Sequence, residues 1–88
     1  MDERSAERLE ELSKLEAGWL DGSGDAVHSH ALRIAQELLN DLSILPNLYP
    51  TEEGGIYVEW GTKMLSLEIR PNGDHRLMFY GAYLTDNE

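Results

Sequence analysis

Residues 54–69, GGIYVEWGTKMLSLEI, decide the fold, because apolar and polar side chains alternate twice along this stretch. The apolar positions of the two alternating runs are Ile56, Val58, Trp60, Leu65, Leu67 and Ile69. A period of two residues is typical of a strand with one buried and one exposed face. The stretch therefore predicts two strands of a hairpin whose shared apolar face needs a cover from elsewhere in the chain.

The turn after this hairpin predicts a third strand and its register. Residues 70–74, RPNGD, are typical of a type I turn in which Gly73 occupies the left-handed bulge position. The cross-strand pairs that follow from this turn are Glu68 with Arg76, Leu67 with Leu77, and Leu65 with Phe79. The register places an ion pair on one face and apolar pairs on the other, and a slip of one residue would lose both.

The residues before the hairpin predict two helices. Residues 2–17 carry leucines spaced three residues apart among charged side chains, and they predict the first helix. The second helix begins at Asp25 or Ser29, either of which is a suitable N-cap, and runs to about Leu45, before a proline. Residues 46–55 contain two prolines and are predicted to form an extended connection.

These elements predict one α+β domain over residues 1–88. Two N-terminal helices pack on one face of a three-stranded antiparallel meander, in the order α-α-β-β-β. Between the helices, residues 18–26 contain three glycines and are predicted to form an irregular loop. Gly18 is predicted to end the first helix in a left-handed turn. Trp19 and Leu20 are predicted to fill a gap beneath the helices.

Composition limits the classes of function. The chain has 88 residues, no cysteine and a formal net charge of −10. This charge argues against direct binding of nucleic acid, which needs lysine and arginine to neutralise phosphates. No apolar run reaches the roughly 20 residues of a membrane span, and the charged N-terminus does not resemble a signal peptide. We therefore expect a soluble, cytoplasmic protein that binds neither nucleic acid nor membrane.

The acidity itself has three interpretations. It keeps a small protein in solution, it attracts a protein partner with a basic surface, or it mimics the phosphates of a nucleic acid. Acidic residues are scattered along the whole chain, with basic residues among them near both ends. Because mimicry needs carboxylates ordered along one surface, this scatter weakens the third interpretation.

One cluster has the character of a metal site, and its members are Asp21, Ser23, Asp25, His28 and His30. The cluster fails as an EF-hand calcium loop, because the twelfth position from Asp21 is a leucine where that loop needs a glutamate. His28 and His30 are two residues apart and do not share a helix face. Turn formation and helix capping explain these side chains better, so we predict no metal and no cofactor.

Catalytic chemistry is not indicated either. Glu59 and Glu68 fall on one sheet face, as the two carboxylates of a glycosidase would. Glu68 is predicted to pair with Arg76, however, and a flat three-stranded sheet forms no cleft. The glycines match neither a phosphate-binding loop nor a dinucleotide fingerprint. We predict that the protein is not an enzyme, and a small metal-binding enzyme is kept as an alternative.

The sheet face opposite the helices carries the candidate partner-binding residues, which are Tyr57, Glu59, Met64, Met78 and Tyr80. Tyrosine and methionine are enriched at interfaces, because they combine apolar area with adaptable contacts. We therefore expect a small, non-catalytic protein-binding module whose partner has a basic surface. The same face could instead close a homodimer, sheet against sheet.

Two motifs resemble those of a protein family. LEAGWLDGSGD at residues 15–25 resembles a Gly-Trp-Asp-Gly-x-Gly pattern with one additional leucine, and YPTEEGGIYVEW at residues 49–60 resembles a Pro-Thr-x-x-Gly-Gly-Ile-x-x-Glu-Trp pattern. Both patterns, with a leucine-rich helix between them, are similar to those found in a family of small bacterial and phage proteins of uncharacterised function. In such a setting, a protein-binding module would act as an inhibitor, as an antitoxin- or immunity-like factor, or as an anti-defence protein such as an inhibitor of a CRISPR complex.

Overall fold

The computed structural model describes residues 2–40, 46–61 and 65–79. Two helices come first, α1 (Glu3–Ser13) and α2 (Ser29–Leu39), and four strands follow: β1 (Asn47–Pro50), β2 (Ile56–Trp60), β3 (Leu65–Ile69) and β4 (His75–Phe79). The strands form one antiparallel sheet in the order β1-β2-β3-β4. The predicted α+β class and the order of helices before sheet are confirmed, whereas the predicted number of three strands is wrong.

The additional strand, β1, lies in the segment that was predicted to be an extended connection. It pairs with β2 so that Leu48 lies opposite Val58 and Pro50 opposite Ile56. The Thr51 N–H donates to the carbonyl of Gly55, at 3.0 Å. Since bonded and non-bonded pairs alternate along an antiparallel ladder, Pro50 turns its nitrogen away from β2. A proline at such an edge position costs the sheet no hydrogen bond, and the strand can form around it.

The hairpin of β3 and β4 has the predicted register. Leu65, Leu67 and Glu68 lie opposite Phe79, Leu77 and Arg76, respectively. In the turn, the Gly73 N–H donates to the carbonyl of Arg70 at 2.9 Å, and the Arg70 N–H donates to the carbonyl of Asp74 at 2.7 Å. Gly73 has φ +97°, in the left-handed region that favours glycine. The turn chemistry of residues 70–74 therefore fixes the pairing.

Helix α1 is shorter than the predicted range of 2–17. Asp2 is its N-cap, and the Asp2 carboxylate accepts a hydrogen bond from the Ser5 N–H at 3.1 Å. The helix ends at Ser13, so Gly18 is not the residue that terminates it. Gly18 instead closes the following loop, where its N–H donates to the carbonyl of Gly24 at 2.8 Å.

Helix α2 begins later than Asp25, and its N-cap is His28 rather than Asp25 or Ser29. The His28 Nδ1 accepts a hydrogen bond from the His30 N–H at 3.1 Å. The reason lies in the chain before it, because the Asp25 N–H donates to the carbonyl of Glu52 and the His28 N–H donates to that of Gly54. These bonds hold residues 25–28 extended. The predicted continuation to Leu45 falls on residues 41–45, outside the described residues.

The cap leads to a first prediction. Replacing His28 with alanine should lower the free energy of unfolding by about 0.5–2 kcal/mol, because the His30 N–H loses its acceptor. Replacing His28 with aspartate should keep the stability near that of the wild type, because a carboxylate oxygen caps equally well. Urea unfolding followed by circular dichroism measures both. An aspartate variant as unstable as the alanine variant would show that the cap is not what His28 contributes.

The core lies between the helices and one face of the sheet. Its buried apolar members are Leu9, Leu12, Val27, Ala31, Ala35, Leu39, Leu48, Ile56, Val58, Trp60, Leu67 and Ile69. Helix α1 packs over β1, and α2 packs over β2 and β3. The six apolar positions of the alternating stretch face this core, as predicted, with Leu65 packed at its margin. An apolar face of this kind supplies most of the stability of a small domain.

Two leucines predicted to face the interior are exposed. Leu20 is 45% exposed, because the loop turns at Leu20 and Ser23 and directs the side chain outward. The neighbouring Trp19 is half-buried, and its indole N–H donates to the carbonyl of Asp25 at 2.7 Å. Leu77 faces the helix side beside Leu67 but is 62% exposed, against 6% for Leu67. The covering helices therefore leave the β4 edge of the core face open to solvent at Leu77.

Candidate partner-binding face

The sheet face that points away from the helices is called the outer face here. The register arranges its side chains in two rows across the strands. One row runs Tyr49, Tyr57, Glu68 and Arg76, and the other runs Asn47, Glu59, Ser66 and Met78. Since the rows lie on a rigid hydrogen-bonded sheet, their side chains are held in a fixed pattern.

The two tyrosines form an aromatic pair at the β1 side of the outer face. Tyr49 and Tyr57 are cross-strand neighbours, with ring centroids 6.4 Å apart and ring planes 34° apart. Tyr49 is 43% exposed and Tyr57 is half-buried. The sequence interpretation missed Tyr49, because the residue falls in the segment predicted to be a connection. The alternation from Leu48 to Tyr49 is too short to predict a strand, so Tyr49 could be placed on this face only from its pairing with Tyr57.

Two glutamates lie on the outer face, and they differ in whether a described cation pairs with them. Glu68 pairs with Arg76, with 3.7 Å between Oε1 and Nη2, as the register predicts. Glu59 forms no ion pair with any residue that the structure describes. It lies two residues after Tyr57 on the same face and opposite Asn47, which is exposed. The β1–β2 side of the face therefore combines two aromatic rings with one carboxylate that lacks a counterion there.

The five predicted partner-binding residues are only partly within the described chain. Tyr57, Glu59 and Met78 lie on the outer face, and all three are half-buried. Met64 and Tyr80 fall outside the described residues. Ser66, between Glu59 and Met78 in its row, is fully buried. The exposed side chains of the face therefore lie at its two sides rather than at its centre, with Asn47 and Tyr49 on β1 and Arg76 on β4.

A groove of about 310 Å³ adjoins this side of the face, between α1 and β1. Its lining includes Asn47 and Tyr49 from the strand and Arg4, Arg8 and Glu11 from the helix. The Arg8 Nε donates to the carbonyl of Leu48 at 2.9 Å, and its Nη1 pairs with Glu11 at 3.0 Å. Arg8 therefore covers the edge of β1, and its charge is neutralised within the groove.

Two members of the candidate metal cluster stabilise a turn and cap a helix. The Ser23 hydroxyl donates to the carbonyl of Leu20 at 3.0 Å, and His28 caps α2. The rings of His28 and His30 meet edge to face, with centroids 4.9 Å apart. Within the described ranges, no three histidine, cysteine, aspartate or glutamate side chains are arranged to hold a metal ion. Ser23 and His28 therefore have structural partners of their own.

Comparison of the chain with protein-family models, with curated proteins and with solved structures found no match. The resemblance of the two sequence motifs to small bacterial and phage proteins therefore stays a prediction. Among the helices that the structure describes, none has the length and apolar character needed to cross a membrane.

Proposed function

We propose that this protein is a small, non-catalytic binding module that holds a basic protein partner against the tyrosine patch, defined as Tyr49, Tyr57 and Glu59. The observation that carries the proposal is the pair of tyrosines on the sheet surface beside a carboxylate without a counterion among the described residues. Tyrosine supplies a large contact area at a low entropic cost, because it has few rotatable bonds.

The chemistry of the patch favours arginine as the group that it receives. A guanidinium can lie flat on an aromatic ring and, at the same time, donate two parallel hydrogen bonds to a carboxylate. The patch offers both surfaces within neighbouring positions of one sheet. A lysine ammonium would gain the charge but not the paired hydrogen bonds. The net charge of −10 would also accelerate the encounter with a basic partner.

A foreign partner suits this patch better than a second copy does. If two copies met outer face to outer face, each would bring a Glu59 carboxylate without an added cation into the interface. Burying carboxylates without counterions is costly, because each loses its hydration. A basic partner supplies the missing charge, so the patch favours association with a different protein over sheet-against-sheet self-association.

The biological role that fits such a module is inhibition. A protein that covers a basic surface of a larger partner, and brings no catalytic groups of its own, acts by occupying that surface. An inhibitor, an antitoxin- or immunity-like factor, or an anti-defence protein of a phage would work in this way. The alternative of nucleic-acid mimicry has less support, because the tyrosine patch presents aromatic rings beside one glutamate rather than an ordered row of carboxylates.

The proposal is tested by binding measurements on matched variants. Partners are first captured from the native host with the wild-type chain and identified by mass spectrometry, and the dissociation constant of each is then measured. Tyr49→Ala and Glu59→Gln should each weaken binding by about tenfold or more, because each removes one of the two surfaces that hold the arginine.

Glu16→Gln is the control, because Glu16 is exposed and the substitution removes the same charge away from the sheet. It should leave the dissociation constant within about twofold of the wild type, as distant surface charges are screened. Equal weakening by Glu16→Gln and Glu59→Gln would mean that only net charge matters. Binding unchanged by both Tyr49→Ala and Glu59→Gln would place the partner elsewhere and overturn the proposal.

A further inference from the structure

The two edges of the sheet differ in what their backbones offer to another strand. At the β1 edge, Pro50 has no N–H, and the outward carbonyl of Leu48 already accepts a hydrogen bond from Arg8. Helix α1 packs beside this strand. Prolines and covering side chains are the usual means by which proteins prevent strands from adding to an edge. The β1 edge is therefore closed.

Among the residues that the structure describes, none pairs with the outer edge of β4. The bonded pair of Arg70 and Asp74 sets the alternation for the rest of the hairpin. Two residues of β4, Arg76 and Met78, consequently direct their backbone groups towards β3. The remaining three, His75, Leu77 and Phe79, direct their N–H and C=O groups away from it, and none of these groups bonds to a described residue. The strand contains neither proline nor lysine.

An apolar surface lies beside this open edge. Leu77 is on the helix side of the sheet, at the middle of β4, and is 62% exposed. Helix α2 reaches the turn of the hairpin, where Ile34 Cγ1 lies 3.4 Å from the position that a Cβ on Gly73 would take. Leu38, one helical turn after Ile34 on the same side of α2, is 38% exposed. The apolar face of the sheet therefore extends beyond the area that the helices cover, and Leu77 and Leu38 are exposed at the β4 edge.

We infer that β4 pairs antiparallel with β4 of a second copy of this chain, about a two-fold axis at Leu77. Such a pairing needs a central residue whose N–H and C=O groups point away from β3. Leu77 is the middle residue of β4, and its backbone groups point away from β3. The two Leu77 residues then exchange both backbone hydrogen bonds, and their side chains cover each other on the helix side.

The remaining pairs of this arrangement are compatible in charge. Arg76 lies opposite Met78 of the second copy, and His75 lies opposite Phe79, so no like charges face each other across the new ladder. The pairing joins the two sheets into one and continues the core face from one copy into the next. This self-complementarity about Leu77 points to a second copy as the occupant, because a strand from another protein would not require it.

Sedimentation equilibrium on the full chain, from low micromolar to submillimolar concentration, tests the inference. The wild type should approach twice the chain mass of 10.0 kDa as concentration rises. Leu77→Lys should give the single-chain mass, because two ammonium groups would meet at the axis. Leu77→Pro should do the same, because it removes the outward N–H without removing a hydrogen bond to β3. A wild type that stays at the single-chain mass throughout overturns the inference.

The matched control is Leu20→Lys, which makes the same change at another exposed leucine outside the sheet edge. This variant should associate like the wild type, and a Leu77→Lys variant that still associates would place the contact elsewhere. Hydrogen exchange on the unaltered chain provides a second measurement. The amides of His75, Leu77 and Phe79 should exchange more slowly at high than at low concentration, and equal rates while the doubled mass is present would overturn the β4 pairing.

Discussion

Replacing Gly55 with alanine is expected to destabilise the domain by about 3 kcal/mol or more, because the new methyl group would overlap the backbone of β3. A Cβ at this position would collide with the carbonyl oxygen of Ile69 and lie 3.3 Å from the Cα of Arg70. The Gly55 N–H also donates to the Thr51 hydroxyl at 2.8 Å, which holds the residue in place. Backbone atoms of a sheet cannot move aside without breaking ladder hydrogen bonds. Since small domains have only about 5–15 kcal/mol of stability, this variant should be largely unfolded or close to it.

Substitutions at two other glycines distinguish destabilisation by a steric clash from destabilisation by backbone strain. No atom of a described residue lies within 4 Å of a Cβ on Gly61, and its backbone is not in the left-handed region, so Gly61→Ala should change the stability by less than about 0.5 kcal/mol. Gly22 is equally unobstructed but has φ +99°, so Gly22→Ala should cost about 1 kcal/mol through backbone strain alone. Urea unfolding by circular dichroism ranks the three. If Gly55→Ala proves as mild as Gly61→Ala, then β2 and β3 do not approach each other as closely as described.

Truncating Ile69 to alanine is expected to cost about 2–5 kcal/mol, because it removes three carbons from the centre of the core and leaves a cavity. Ile69 is fully buried opposite Ile56, which is also fully buried, and the two residues lie on the two central strands of the sheet. Helix and sheet meet at this point, so the surroundings cannot collapse into the space without loss of packing elsewhere.

A graded series makes this result specific. Ile69→Val removes a single methyl group and should cost about 0.5–1.5 kcal/mol, between the wild type and Ile69→Ala. The ratio of the two losses should hold when unfolding is monitored by tryptophan fluorescence, since Trp60 lies in the same core. Two variants with equally small losses would mean that Ile69 lies at a surface and that the register of β2 and β3 is wrong.

Local chemistry explains which parts of the fold were predictable. The strands from Ile56 onward have a clear period of two, and the Pro-Asn-Gly turn fixes their register without help from distant residues. Strand β1 lacks such a signal, because the three residues between Pro46 and Pro50 are too few to show a period. It becomes a strand through its pairing with β2, which is a tertiary contact. The predicted range of α1 was too long, and of the two predicted starts of α2 the later one, Ser29, is correct. The earlier start at Asp25 fails because loop hydrogen bonds, such as that from His28 to Gly54, compete with helical ones.

The candidate site was also predictable only in part. Alternation assigns Tyr57 and Glu59 to the outer face, but Tyr49 could be placed beside them only once β1 was known. Alternation likewise assigns Leu77 to the core face. Whether a residue on that face is covered depends on how far the helices extend across the sheet, and no pattern within β4 contains this information. The open edge could therefore be found only from the packed structure.

The hydrogen bond from Arg8 to the carbonyl of Leu48 is one of the features that prevent a further strand from adding at β1. If both edges accepted strands, copies of this chain could add head to tail without limit, and the product would be a fibre. If β4 pairs as inferred, the closed β1 edge leaves each copy with one free sheet edge among the strands that the structure describes, and association ends at two. Arg8 contributes to this limit together with Pro50 and helix α1, so its loss alone would weaken the protection of the β1 edge without removing it.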